Sequence, residues 1–471
     1  SNLNRFFFTI FFIKRITIVK LSKNYEKLEK SAVKLTVTVD KADIEATYKK
    51  VTANYTKNAQ IPGFRKGHVP AKVLETKYGD ALKADTLSEV IDASLNEIFS
   101  DEKETEYRPL PYAQPAMDKM PEFELGKDLV YTVTYDIFPA VSVKNFSGIT
   151  VKEPQVSVGD AELAEELKGI QERNATVTDK TSSEGVAKDD IVTINYSELD
   201  DDGKEIAGSK REGFVFTVGS GENIYKIDDE IIGMKKDETK EITKTYKKDD
   251  ADKELAGKTK KISVTVKAIK VRDLPALDDE LAQDVNSKYK TLDDLKADLK
   301  RQMETALKRR VAEIKNNDLL TQLVEKNQFE LPKSMLQAEL DGRWRMMAQQ
   351  FQTTTEQLER MMASSGQAKD AMLDSWKPDA EKMLKSRIII ENLLKERNIS
   401  VTPEEIEAQY AKIAEEGGMT VEEVKKHYED PRSKEYLIDD AKEAKLYDEL
   451  YKEVKVSKGD KMTFAELFRQ R

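Results

Sequence analysis

Cysteine is absent from the 471-residue chain, which excludes a disulfide framework, a thiolate metal site and a cysteine nucleophile. Histidine is nearly absent too, with only His68 and His427, so a histidine-built metal centre or catalytic relay is not expected. No phosphate-binding loop is present: Gly219-Ser220-Gly221 is followed by Ile224 where a dinucleotide fingerprint needs its third glycine, and no Gly-Lys-Ser/Thr occurs. Neither metal nor cofactor is therefore expected. An excess of positive charge is also missing. Lys and Arg number 78 against 88 Asp and Glu, a net charge of −10, so wholesale neutralisation of phosphates is excluded and any nucleic-acid contact must sit on a local patch.

Long hydrophobic runs are lacking as well. The most apolar stretch, residues 6–13 (Phe-Phe-Phe-Thr-Ile-Phe-Phe-Ile), falls far short of the ~20 residues a membrane-spanning helix needs. Lys14-Arg15 interrupts it and no Ala-x-Ala cleavage pattern follows, unlike a secretory signal. Residues 1–18 are expected to be an extension ahead of a first domain that begins near Val19 or Lys20. The expected compartment is cytoplasmic, with no membrane partner. The other reading, an envelope protein carrying residues 6–13 as its signal, stays open here.

The length predicts roughly two to four domains. Eight glycines fall between 185 and 257 and only five after it, so the middle reads as turn-rich β structure and the last part as helix. The expected fold class is multidomain α+β. A first α+β domain spans 19–140, an extended linker 141–175, a small β-rich domain 176–272 and an all-α domain 273–471.

In the first domain, Lys34-Leu35-Thr36-Val37-Thr38-Val39 alternates as a half-buried strand does, and residues 131–138 alternate again and should pair with it. Between them the spacing predicts helices from Asp40 to about 59 and over 81–100. The helices are joined through Ile61-Pro62-Gly63-Phe64-Arg65-Lys66-Gly67-His68-Val69-Pro70. Two prolines and two glycines give this loop a defined shape. Burial does not explain two cations flanked by glycines, so the loop should project them: Arg65 and Lys66 suit phosphates or carboxylates, and Phe64 adds an apolar anchor. The plainer alternative is a tight connection with a solvated charge pair.

Gly-Phe-Arg-Lys-Gly-x-x-Pro after a strand and a helix resembles the ribosome-docking signature of the trigger factor family, bacterial ATP-independent chaperones at the peptide exit tunnel. The likeness runs from about residue 25 to the end. It implies that Phe64, Arg65 and Lys66 contact large-subunit protein and ribosomal RNA, with Gly63, Gly67 and Pro70 shaping the loop. It further implies two helical arms on the carboxyl-terminal domain 273–471, nascent and unfolded polypeptides as clients, and a homodimer off the ribosome.

Short strands over 190–196, 213–219 and 261–269, with one brief helical piece around 227–232, make the middle domain. Their order resembles the FK506-binding-type prolyl isomerase domain of that family. Rotation about an amide bond, with its ~18–20 kcal/mol barrier, needs no acid or base, only an apolar aromatic pocket and a donor for the carbonyl. By position Tyr196, Phe214, Ile224, Ile227 and Tyr246 line that pocket. The family's Ile-Pro-Gly-aromatic segment is here Ile224-Tyr225-Lys226-Ile227, and Asn195 stands where an acid is usual. The activity is therefore expected to be weak or absent, and a domain that only spaces or packs stays open beside catalysis. A soluble prolyl isomerase whose other domains deliver substrate is the third reading.

In the carboxyl half, Thr291 and Asp294 predict a capped start to a helix of more than thirty residues, broken at Phe329-Glu330-Leu331-Pro332. Further helices should begin near Lys333, cover 382–397, start near Pro403 and cover 434–454. Methionines cluster at 335–383, and Met335, Trp344, Met346, Met347, Phe351, Met361 and Met362 are the candidate substrate cradle, because thioethers adapt to many apolar partners. The ordinary alternative for each is helix packing.

Overall fold

The computed structural model describes residues 20–181 and 183–469. The apolar run at 6–13 and the extension expected at 1–18 lie outside the described residues. The chain opens with β1 (Leu21–Lys27) and β2 (Ala32–Val39), then α1 (Lys41–Asn58), α2 (Ala71–Phe99) and β3 (Leu129–Asp136). The strands form an antiparallel sheet of order β1-β2-β3, with Leu35 opposite Val133 and Val37 opposite Tyr131. Their inward residues make one core with Val90, Ile91, Leu95 and Ile98 of α2. β1 carries too few apolar residues to announce itself: it is an edge strand, half-buried at alternate positions.

Helix α1 starts where Asp40 accepts the Ala42 amide at 2.8 Å. Helix α2 begins ten residues ahead of the expected 81, directly after Pro70. Tyr78-Gly79-Asp80 reads as a break in the sequence, but here it is only a kink, with Tyr78 at φ −126°.

Next come β4 (Thr150–Gln155), α3 (Asp160–Arg173), β5 (Thr176–Asp179), β6 (Ile191–Leu199), β7 (Arg211–Thr217), β8 (Thr239–Thr245) and β9 (Thr259–Asp273). The span 141–175 is thus not extended throughout. Leu163, Leu167 and Ile170 give residues 160–173 an apolar helical face. The five strands β5 to β9 form an antiparallel sheet, β5-β9-β6-β7, with β8 also on β9. No helix forms at 227–232 among the described residues: one helical bond, Ile231 N to Ile227 O at 3.3 Å, is followed by Gly233 at φ +87°.

The remainder is α4 (Asp279–Val285), α5 (Leu292–Lys326), α6 (Lys333–Gln350), α7 (Thr355–Ser364), α8 (Lys369–Glu396), α9 (Pro403–Gly417), α10 (Val421–His427), α11 (Pro431–Glu453), β10 (Lys455–Lys461) and α12 (Phe464–Arg469). Thr291 and Asp294 form the expected reciprocal cap, Thr291 N to Asp294 Oδ2 at 3.0 Å and Asp294 N to Thr291 Oγ1 at 3.2 Å. The carboxyl half is not entirely helical, since β10 pairs with β4 and its first amide donates to Ile149 O at 3.1 Å. Among the described residues no helix is long and apolar enough to cross a membrane.

Contacts divide the chain into two compact units. One takes the residues up to Glu153, Ala312–Tyr410 and Lys425–Gly459; the other takes Pro154–Val311, Ala411–Val424 and the residues from Asp460. The first unit has, besides the sheet core, a body core that joins Val143, Ile149 and Val151 to Leu319, Leu323, Ile389, Leu446 and Leu450. The second centres on the β6–β9 core.

Candidate functional site

The loop between α1 and α2 is two consecutive turns. Phe64 N donates to Ile61 O and His68 N to Arg65 O, each at 3.0 Å. Gly63 and Gly67 hold the third positions at φ +93° and +85°, which a type II turn demands and a Cβ disfavours. Pro62 presets the second position of the first turn. Ile61 and Val69 bracket the turns and are buried with Val51, Leu74 and Leu82, while every residue from 62 to 68 is exposed. The apolar brackets thus fix both ends and leave the tip no way inward. Phe64 is 41 % exposed. Among the described residues no carboxylate lies within 4 Å of the Arg65 or Lys66 nitrogens. Pro70 caps α2 and completes the bracket.

At the base of the loop Tyr55, which packs beside Ile61 and Val69, donates to Asp85 Oδ2 at 2.5 Å. That bond, reinforced by partial burial, pushes the Tyr55 phenol up to about 12.

Of the five candidate pocket residues, four gather in the middle-domain core: Tyr196, Ile227 and Tyr246 are buried there and Phe214 packs on them half-buried. Tyr196 and Phe214 meet edge to face, ring centroids 5.9 Å apart. Ile224 is not a wall, because its side chain is 55 % exposed. The Asn223 side chain accepts the Tyr225 amide at 2.9 Å, and the resulting turn swings Tyr225 inward in place of Ile224. Tyr225 stands edge-on to Tyr196 at 5.7 Å, and its carbonyl accepts the Tyr246 hydroxyl at 2.5 Å. Burial pushes the Tyr246 phenol up to about 12.

Lys226, where the resembled family has glycine, keeps a left-handed backbone at φ +48°. That conformation costs a residue with a Cβ ~1–2 kcal/mol. Three contacts hold it: Lys226 N to Asn223 O at 2.9 Å, Lys226 Nζ to Asp250 at 2.7 Å, and the Lys244 ammonium on the Lys226 carbonyl. Asn195, in the place of the usual acid, accepts the Gly213 amide at 2.8 Å. Sequence reasoning missed Tyr225. The available signal was the Asn at 223, a residue that closes such turns on its own side chain.

The cradle candidates divide in two. Met335 and Trp344 are core residues and not an adaptable surface. Met335 is buried with Leu110, Ala113 and Ile388, and Trp344, 2 % exposed, is enclosed by Leu340, Leu358, Leu373 and Ala380. The Trp344 ring lies 6.3 Å from that of Trp376 and beneath the Lys369 ammonium at 5.5 Å. Met347 and Met362 are half-buried against the same core. Met346, 69 % exposed, together with Phe351 and Met361 remains on the surface, an unusual position for large apolar side chains.

Three family models match the chain: bacterial trigger factor protein over residues 21–170, FKBP-type peptidyl-prolyl cis-trans isomerase over 182–267, and bacterial trigger factor protein C-terminus over 291–452. The trigger factor of Treponema denticola is 50% identical, covering 95% of this chain and 99% of that protein. That of Treponema pallidum is 36% identical over 92% of this chain and 95% of its own, and that of Borreliella burgdorferi 35% over 95% and 98%. A solved structure from work on promiscuous substrate recognition by the trigger factor chaperone is 23% identical, with a TM-score of 0.47, covering 92% of this chain and all of that one. On the strength of matches that take in the sheet-and-loop domain, the five-stranded domain and the helical body alike, the chain belongs to the trigger factor family and is a chaperone with an FKBP-type domain.

Proposed function

We propose that this chaperone docks on the large ribosomal subunit beside the exit tunnel through Phe64, Arg65 and Lys66, and there receives nascent polypeptides. One observation carries the reading: an aromatic residue and two cations without acidic partners stand on a doubly turned, doubly anchored loop of a protein whose net charge is −10. Such a tip offers bidentate and point-charge contacts to phosphate or carboxylate, with an apolar residue between solvent and partner. Gly63, Gly67 and Pro70 act by shape and not by contact.

Clients are held by exposed apolar side chains, among them Met346, Phe351 and Met361, through many weak contacts and no deep pocket. Met335 and Trp344 serve that surface only as the packing beneath it. The FKBP-type domain, with Tyr196, Phe214, Ile227 and Tyr246 as its walls, is a poor isomerase in this chain. We take residues 19–140 as the docking domain, 176–272 as the isomerase-like domain and 273–471 as the main chaperone part, with a homodimer as the form off the ribosome. The envelope and stand-alone isomerase readings have no support in the family matches.

The test is co-sedimentation with ribosomes. Replacing Phe64, Arg65 and Lys66 together by Ala is expected to abolish pelleting while suppression of client aggregation persists. Unchanged pelleting refutes the docking assignment.

A further inference from the structure

The walls of the candidate prolyl pocket already have an occupant. Tyr225 is 7 % exposed and meets two walls at once: its ring stands edge-on to Tyr196 at 5.7 Å and 88°, and its carbonyl accepts the Tyr246 hydroxyl at 2.5 Å. Its own hydroxyl donates to Glu198 Oε2 at 3.1 Å, and Lys260 fixes Glu198 from the other oxygen at 2.7 Å. The ring is thus tied at its far end and the backbone at its near end. Beside it the Tyr196 hydroxyl, wholly buried, finds no hydrogen-bond partner among the described residues, a costly state for a donor unless something is to meet it.

The ring and carbonyl of Tyr225 present the two features a peptidyl-prolyl segment offers, a compact apolar ring and an acceptor next to it. The turn that delivers them is specific to this sequence. It needs Asn223 to accept the Tyr225 amide and Lys226 to hold φ +48° under the Asp250 and Lys244 contacts. A Pro-Gly pair at 225–226 supplies neither an aromatic ring to stand against Tyr196 nor a hydroxyl to reach Glu198.

We infer that Tyr225 fills the prolyl subsite from within, so that a peptidyl-prolyl substrate reaches Tyr196, Phe214 and Ile227 only once the Tyr225 ring is withdrawn. This rests on those residues being the pocket walls. The weakness of the isomerase then lies in a plug and not in a missing aromatic floor, and a single substitution restores access. No bond is made or broken, since the reaction is rotation about the prolyl amide.

The experiment uses the full chain and a Leu-Pro tetrapeptide, following both isomerisation kcat/KM and peptide binding. Wild type is expected near background, and Tyr225→Ala is expected to raise kcat/KM at least tenfold. Adding Tyr196→Phe should then remove most of that gain. A folded Tyr225→Ala that stays at background in both readouts overturns the plug, as does a wild type that already turns the peptide over well above background. In the second case a drop with Tyr196→Phe alone keeps the wall assignment. A gain indifferent to Tyr196→Phe means the walls are misassigned, and the proposal fails with them. Should Tyr225→Ala not melt cooperatively, Tyr225→Phe, which keeps the ring but releases Glu198, is expected to strengthen binding about threefold, and unchanged binding refutes the inference.

Discussion

The salt dependence of ribosome binding follows from the charge at the loop tip. Each phosphate neutralised by a protein cation releases counterions, with a log-log slope of ~−0.7 per contact on single strands and ~−0.9 on duplex. The tip carries two cations with no acidic neighbour of their own, so neither must first break an internal pair. If both meet phosphate, affinity should fall with a slope of about −1.4 to −1.8, roughly seven- to twelvefold between 50 and 200 mM salt. Lys66→Ala alone should flatten the slope by about one contact, and Phe64→Ala should weaken binding without changing it. Pelleting across a salt series reads all three. A wild-type slope steeper than about −4 would mean that a broad basic face and not this loop makes the contact, and would refute the argument.

Other outcomes follow from burial and charge. Gly67→Ala meets no atom within 4 Å, so its effect is purely conformational; at φ +85° it should cost ~1–2 kcal/mol of turn geometry, lower the melting transition by no more than a few degrees and weaken ribosome pelleting. Trp344→Ala should lower unfolding free energy by ~3–5 kcal/mol in urea, whereas Met346→Ala should leave it unchanged and instead weaken client holding. Burial would raise the Asp298 carboxyl, but hydrogen bonds from Tyr289, Arg301 and Lys288 outweigh it and hold Asp298 well below the usual carboxylate range. A depressed carboxylate stabilises the fold above its unfolded value near ~3.9 and loses that contribution as pH falls. Asp298→Asn should therefore cost ~2 kcal/mol at neutral pH and progressively less below about pH 4, read by urea melts. Tyr55 and Tyr246, both raised to about 12, favour the folded state with the phenol protonated. Their contribution is whole below about pH 10 and disappears as pH climbs from there to 12; native phenolate absorbance should lag that of the denatured chain across this window.

What the sequence made legible is what short-range rules encode. The alternation in residues 34–39 and 131–138 placed two neighbouring strands to within two residues at each end because one face of the sheet is buried. Thr291 with Asp294 marked the start of α5 because a reciprocal cap needs only three residues of context. The loop was legible for the same reason: two glycines enclosed by Pro62 and Pro70 define turns from local context alone. What it hid depends on partners far away in the chain. Tyr225 and Ile224 are adjacent and both apolar enough to bury; Asn223 shapes the turn, but it is Tyr196, Glu198 and Tyr246 that receive Tyr225 on the inside. Trp344 and Met346 likewise share a helix, and which of them is core is set by Leu358, Leu373 and Ala380 on other helices. β4 and β10 are weak strands by composition, and each exists as the other's partner.

The body core has a consequence for how this chaperone is itself made. Val143, Ile149 and Val151 leave the translating machinery early, but the residues that cover them include Leu446 and Leu450 near the other end of the chain. At a synthesis rate of about 5–20 residues per second, that interval lasts roughly 15–60 s. The β1–β3 sheet with its two helices draws its partners from residues before Phe138 and can close first. The chain that shelters exposed apolar segments of others thus spends most of its own synthesis with such a segment uncovered.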